Sequence, residues 1–68
     1  MISFDPWRRT MKDKHITPYA LTAKYGICKR TVDKFKNNQN VTLETLERMC
    51  NILDCRIEDI VEFKKETP

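Results

Sequence analysis

A cluster of basic side chains in the middle of the sequence has the chemistry to bind a polyanion. Lys29, Arg30 and Lys34 fall within about two turns of a predicted helix, and Thr31 adds a hydroxyl beside them. Lysine and arginine donate hydrogen bonds to phosphate oxygens and to the guanine edge in the major groove of DNA. A charged helix face is more often simply solvated, so the interpretation depends on the elements that position these residues.

The charges of the 68-residue chain are divided unevenly between its two halves. Residues 1–36 hold nine basic and three acidic side chains, a net charge of +6, whereas residues 37–68 hold four basic and seven acidic ones, a net charge of −3. The total of +3 therefore hides a basic half that suits a polyanionic partner. The length predicts one small domain, residues 1–68, with little room for an enclosed substrate cavity.

Composition disfavours several classes of protein. No apolar run reaches the roughly 18–20 residues of a membrane span, and we recognise no signal peptide. Three cysteines, an odd number, favour a reducing cytoplasm over a disulfide scaffold. These cysteines and His15 contain only one closely spaced pair, Cys50 and Cys55, and lack the second pair of a structural zinc site. No nucleophile–base pair is present. We therefore expect no metal, no cofactor and no enzymatic activity.

Apolar residues recur at helical spacing and predict an all-α fold of five short helices without strands. The first helix is expected at about 6–14, with Asp5 as its N-cap before Pro6. The second is expected to begin at the cap Thr17 and to end at Gly26, because glycine adopts the positive φ of a helix end without steric cost. The third is expected at about 28–36.

The C-terminal half predicts two further helices. Thr42 is expected to cap the fourth, whose buried stripe would comprise Leu43, Leu46, Met49, Cys50 and Leu53. The fifth would carry the apolar residues Ile57, Ile60, Val61 and Phe63, which either complete the core or leave an apolar surface for a dimer. Residues 64–68 are expected to form a flexible tail.

The second and third predicted helices form the most informative pair. They are joined by a short turn containing the only glycine of the chain, which is typical of a helix-turn-helix. Five apolar residues would bury the facing sides of the two helices: Leu21, Tyr25, Ile27, Val32 and Phe35. The outer face of the third helix would then carry the basic cluster.

At these positions the sequence resembles the helix-turn-helix domains of phage repressors and of the xenobiotic-response-element (XRE/Cro) group of bacterial regulators. The resemblance spans about residues 5–63 and rests on G-I-x-x-x-T-V-x-K-F at 26–35, V-T-L-E-T-L at 41–46 and I-x-D-I at 57–60. It implies a compact five-helix lambda-repressor-like fold. Two positions depart from the pattern: Thr22 replaces the usual alanine, and Cys28 replaces a serine or threonine cap.

The resemblance implies sequence-specific binding to double-stranded DNA as a bacterial or phage transcriptional regulator, with the third helix in the major groove. It assigns base reading to Lys29, Arg30 and Lys34, with a smaller part for Thr31. It assigns phosphate contacts to Thr17, Lys36, Asn38, Asn40 and Thr42. A homodimer is expected through Ile57, Ile60, Val61 and Phe63. We expect no membrane partner and no small-molecule ligand domain. The expected location is the cytoplasm, on the DNA of the nucleoid.

Alternatives remain at the level of sequence. The chain could be a protein-interaction module, such as an antitoxin-like partner, that binds DNA weakly and without sequence selectivity; an RNA-binding role ranks third. Trp7 and Tyr25 fit the core better than a stacking platform. Cys28, at a helix start beside two cations, is a candidate redox-sensitive residue, although a weak helix cap explains it as well.

Overall fold

The computed structural model describes residues 1–65. Within this range the chain is mostly helical and carries one small two-stranded sheet. The elements in chain order are β1 (Ile2–Ser3), α1 (Asp5–Asp13), α2 (Pro18–Ala23), α3 (Lys29–Lys36), α4 (Leu43–Leu53), a 3₁₀ turn (Ile57–Asp59) and β2 (Glu62–Phe63).

The prediction of a fifth α-helix, and of a fold without strands, is wrong. The segment after α4 makes only the 3₁₀ turn, in which the Asp59 carboxylate accepts a hydrogen bond from the Arg56 N–H at 3.2 Å. The chain then extends into β2, which pairs antiparallel with β1 and places Ile2 opposite Phe63. This pairing joins the two ends of the chain, and helical periodicity within one segment carries no signal for it.

The predicted tail at 64–68 is held at its first residue. The Lys64 N–H donates to the Met1 carbonyl at 2.8 Å, and the Met1 ammonium group donates to the Lys64 carbonyl at 2.9 Å. The Lys64 ammonium group also lies 3.0 Å from the Asp5 carboxylate. The flexibility of the tail stays a prediction, and its last three residues, 66–68, lie outside the described part of the chain.

The start of α1 differs from the predicted one. Asp5 is the first helical residue and not the cap, and its N–H donates to the Ser3 hydroxyl at 3.3 Å. Its carboxylate sits in the first turn, where negative charge favours the helix dipole. The same carboxylate accepts from Arg8 at 2.6 Å. The hydrogen bond from Lys64, more than any other contact, lowers the pKa of Asp5 below its ordinary value of 3.8.

The caps predicted for α2 and α4 are confirmed. The Thr17 hydroxyl accepts from the Ala20 N–H, and the Thr42 hydroxyl accepts from the Thr45 N–H, both at 3.1 Å. Each bond satisfies one N–H of the first turn, which has no partner within its own helix.

One core lies between the helices and the sheet. It is built from ten buried apolar side chains: Phe4, Trp7, Met11, Leu21, Ile27, Val32, Phe35, Met49, Leu53 and Ile60. Trp7 is buried as predicted, but Tyr25 is 41% exposed and Leu43 is 83% exposed, so neither belongs to the core. Tyr25 lies beyond the last helical turn of α2, and Leu43 is the first residue of α4.

Candidate nucleic-acid interface

The turn between α2 and α3 fixes the relative position of these helices. Gly26 has φ +70°, a left-handed conformation that residues with a Cβ rarely adopt. The chain then folds back so that the Ile27 N–H donates to the Leu21 carbonyl at 3.0 Å, and both side chains are buried. The predicted helix-turn-helix is present, although α2 ends at Ala23 and not at the glycine.

Aromatic packing holds α3 against α1. Phe35 is fully buried, and its ring centroid lies 4.6 Å from that of Phe4 and 5.3 Å from that of Trp7. Such pairs contribute about 0.5–1.5 kcal/mol beyond the burial of their area. A hydrogen bond from the Arg8 guanidinium group to the Lys36 carbonyl fastens the C-terminal end of α3 to the same helix. The buried side of α3 is therefore rigidly anchored.

The opposite side of α3 presents the basic cluster. Lys29 and Arg30 are exposed, while Thr31 and Lys34 are half-buried. Residues four apart on a helix are neighbours, so Arg30 and Lys34 lie together on the face that points away from Val32 and Phe35. No ion pair involves either cation among residues 1–65. Both can therefore donate to an approaching acceptor.

A groove of about 370 Å³ separates α2 from α3. Tyr19 and Thr22 line it from α2, and Lys29, Asp33 and Lys36 line it from α3. Tyr19 is 80% exposed, and its hydroxyl is available at the rim. Thr22 is exposed as well, so the close helix approach that usually requires alanine is not made at this position.

Asp33 is a functional candidate that the sequence reasoning missed. It is half-buried on α3 between two basic neighbours in the helix, Lys29 and Lys36. A carboxylate there repels phosphate but accepts hydrogen bonds from cytosine N4. The signal was available in the sequence, because Asp33 is the only acidic residue between Asp13 and Glu44.

The predicted phosphate contacts lie in different environments. Lys36 and Asn40 are exposed, and Thr17 and Thr42 are exposed caps whose oxygens already accept one backbone hydrogen bond. Asn38 also has a structural role, because its side-chain oxygen accepts from the Phe4 N–H at 2.9 Å. The amide nitrogen of Asn38 is the donor that a phosphate oxygen would use.

Cys28 stands at the start of the basic face. It is exposed and occupies the N-cap position of α3, but its side chain makes no cap hydrogen bond. The weak cap suggested by the sequence is therefore not formed, and the reactivity of this thiol stays a prediction.

A second, apolar groove lies where the N-terminal strand meets the C-terminal half of the chain. Its volume is about 700 Å³, and apolar side chains from β1, the start of α4, the 3₁₀ turn and β2 line it: Ile2, Phe4, Val41, Leu43, Leu46, Ile57, Val61 and Phe63. Two acids, Glu58 and Glu62, complete the lining. Phe63 is 78% exposed, but Ile60, one of the four residues predicted for a dimer contact, is fully buried and cannot reach a partner.

Within residues 1–65, no helix has both the length and the apolar character that crossing a membrane requires. The same residues contain no group of three or more histidine, cysteine or acidic side chains placed to hold a metal ion.

Comparison with known proteins identifies the motif. The sequence profile of the Cro/C1-type HTH DNA-binding domain matches residues 8–66, which include α2, the turn and α3. The chain belongs to the Cro/C1-type HTH family. The resemblance to XRE/Cro regulators is thereby confirmed. A search of curated proteins found no match to the chain.

A solved structure supports the Cro/C1-type assignment. The crystal structure of the transcriptional regulator VanUg, form II, superposes with a TM-score of 0.81 at 30% sequence identity. The match covers 90% of this chain and 81% of VanUg. The Cro/C1-type chain therefore shares its fold with a transcriptional regulator over nearly the whole of its length.

Proposed function

We propose that this Cro/C1-type domain binds double-stranded DNA sequence-specifically as a cytoplasmic transcriptional regulator of a bacterium or phage, with α3 in the major groove. The observation that carries the proposal is the two-sided character of α3. Val32 and Phe35 anchor one side in the core, and Arg30 and Lys34 stand together on the other. A helix held in this way can present its side chains to base edges without losing its position.

In this proposal Arg30, Lys29 and Lys34 read bases, and Thr31 contributes a hydroxyl from the flank of the helix. Arginine and lysine pair with the O6 and N7 atoms of guanine, and a bidentate pair discriminates against the wrong base by about 1–3 kcal/mol. Phosphate contacts fall to side chains around α2, the loop after α3 and the start of α4. These are Thr17, Lys36, Asn38, Asn40 and Thr42.

We further propose that the protein binds DNA as a two-fold homodimer. The apolar groove supports this, because exposed Leu43, Ile57 and Phe63 form one continuous surface that a second copy would cover. The contact is revised from the one expected from sequence: Leu43 joins it, and buried Ile60 leaves it. Two recognition helices related by this axis would read half-sites about 34–36 Å apart.

The same groove favours one alternative function, that of a protein-interaction module. In that case the groove would hold a different protein, and binding to duplex DNA would be weak and independent of sequence. The two functions differ in what α3 does, so DNA selection separates them.

The test is a selection of bound sequences from a pool of random duplexes. The wild type should enrich a consensus, and the variant Lys29→Ala/Arg30→Ala/Lys34→Ala should not. Arg56→Ala is the matched control, since it removes an exposed cation that lies beyond α4, outside the helix-turn-helix. Failure of the wild type to enrich any sequence would reject the proposal.

The homodimer has a separate test, sedimentation of the protein without DNA at increasing concentration. Leu43→Ser should shift the monomer–dimer equilibrium towards monomer. Tyr19→Ser removes a similarly exposed apolar side chain outside the groove and should leave the equilibrium unchanged. A wild type that stays monomeric, or equal effects of both variants, would contradict the proposed contact.

A further inference from the structure

The C-terminal end of α4 brings two cysteines together. The cap residue Asp54 is left-handed, with φ 51° and ψ 56°. The N–H groups of Asp54 and Cys55 both donate to the carbonyl of Cys50, the latter at 3.1 Å. The Cys55 N–H, which follows left-handed Asp54, thus bonds the carbonyl five positions back, as in a Schellman-type helix end. In this motif the first and sixth side chains frequently contact each other. Here both positions are cysteine.

The environment of these thiols is partly open. Cys50 and Cys55 are free and half-buried, and they pack against the edge of the core. A depression of about 380 Å³ exposes Cys55 to solvent between Lys14 at the end of α1 and Asp59 of the 3₁₀ turn. A small reagent can therefore reach Cys55 from outside. The third cysteine, Cys28, lies on the other half of the chain, at the start of α3.

We propose that Cys50 and Cys55 form a dithiol that a low-molecular-weight disulfide oxidises to an intramolecular disulfide. One protein thiolate attacks the reagent, forms a mixed disulfide and releases one small thiol. The second protein thiolate then attacks the protein sulfur of the mixed disulfide and releases the other small thiol. In the net reaction, the sulfur–sulfur bond of the reagent is broken and that of the protein is formed. The protein gives up two electrons and two protons, and the two released thiols carry them away.

The disulfide would cross-link the corner between α4 and the 3₁₀ turn, which also contacts α1. The corner joins α4 to the 3₁₀ turn, and the Asp59 carbonyl in that turn accepts a hydrogen bond from the Thr10 hydroxyl of α1 at 2.6 Å. A cross-link that fits the folded backbone stabilises it by restricting the unfolded chain. We expect oxidation to raise Tm by roughly 5–10 °C. The inference does not depend on DNA binding.

The reaction should be slow at neutral pH. Burial is the main cause that raises the pKa of Cys55 to about 11, and it also raises the pKa of Cys50. Asp59 and Glu58 also disfavour the thiolates, whereas Lys14 favours that of Cys55. Because only the thiolate attacks, the rate should rise about tenfold per unit between pH 7 and pH 9.

The experiment uses the full chain carrying Cys28→Ser, incubated with oxidised glutathione at pH 9 in parallel with a reduced sample. The expected product has lost the mass of two hydrogen atoms, contains a Cys50–Cys55 peptide pair after digestion, and melts at the higher temperature. Cys55→Ala should instead carry one glutathione on Cys50. Formation of a doubly glutathionylated chain, of a disulfide only in denaturant, or of a disulfide that lowers Tm would overturn the proposal.

Discussion

The side-chain oxygen of Asn38 accepts a hydrogen bond from the backbone N–H of Phe4 at 2.9 Å. This bond ties the loop after α3 to the residue that precedes α1, 34 positions earlier in the chain. Phe4 in turn packs on Phe35, so the bond and the aromatic contact hold the same end of α3. Helix α3 is thus positioned partly by Asn38, a residue for which the sequence predicts a phosphate contact but no structural role.

Asn38→Ala should lower the free energy of unfolding by about 1–2 kcal/mol, because the N–H of buried Phe4 loses its acceptor. The substitution also places alanine at φ 55°, a left-handed conformation. Asn38→Asp keeps an acceptor oxygen and should lose much less. Urea denaturation of both variants measures the difference, and equal losses would show that the hydrogen bond is not the cause.

Gly26→Ala should destabilise the helix-turn-helix by about 1–2 kcal/mol through the backbone alone. A Cβ at this position would meet the Arg48 side chain at 3.8 Å, an ordinary contact, so steric crowding adds little. The cost comes from the positive φ of +70°. Gly26→Asn should be milder, since asparagine tolerates this conformation. Thermal denaturation decides, and an alanine variant as stable as the wild type would refute the explanation.

Asp33→Asn should raise the affinity for duplexes of unrelated sequence several-fold. The substitution removes a negative charge from the face of α3 that we place in the major groove of DNA. Asp13→Asn removes an equal charge from the end of α1 and should change this affinity less. Fluorescence anisotropy with a random duplex at constant salt compares the two. If Asp33→Asn instead weakened binding to every duplex, the carboxylate would have a structural role.

Asp5 should stabilise the fold near neutral pH and should lose this effect in acid. Its pKa is lowered in the folded protein, chiefly by the hydrogen bond from Lys64, so the carboxylate stabilises the fold above its ordinary pKa of 3.8. That contribution is lost as pH falls through the lower folded value. Asp5→Asn should therefore melt at a lower temperature at pH 6 and approach the wild type near pH 2. A difference in Tm that stays constant with pH would contradict this.

The sequence predicts the helices well where local signals are strong. Thr17 and Thr42 mark the starts of α2 and α4 through their caps, and Gly26 marks the turn before α3 through its positive φ. Val32 and Phe35 mark the buried side of α3 through their spacing. The predicted fifth helix fails because β2 depends on pairing with β1, about sixty residues away in the sequence. The predicted burial of Tyr25 and Leu43 is wrong because both have the right spacing but lie at helix ends, where the core no longer covers them.

Only part of the candidate site could be predicted from the sequence. The basic face follows from spacing and from the family resemblance. The structural role of Asn38 could not be predicted, because its partner Phe4 is distant in sequence. The apolar groove likewise requires β1, the start of α4 and β2 to meet, and no single segment indicates it.

The proposed function requires that α3 distinguish one DNA sequence from another. The most direct measurement is the ratio of the dissociation constants for a shuffled duplex and for the selected duplex, at one physiological salt concentration. The wild type should show a ratio of at least about 10³, and Arg30→Ala and Lys34→Ala should each reduce it by roughly 5- to 150-fold, while Arg56→Ala leaves it unchanged. A wild-type ratio near one, or ratios unaffected by either substitution in α3, would contradict the account.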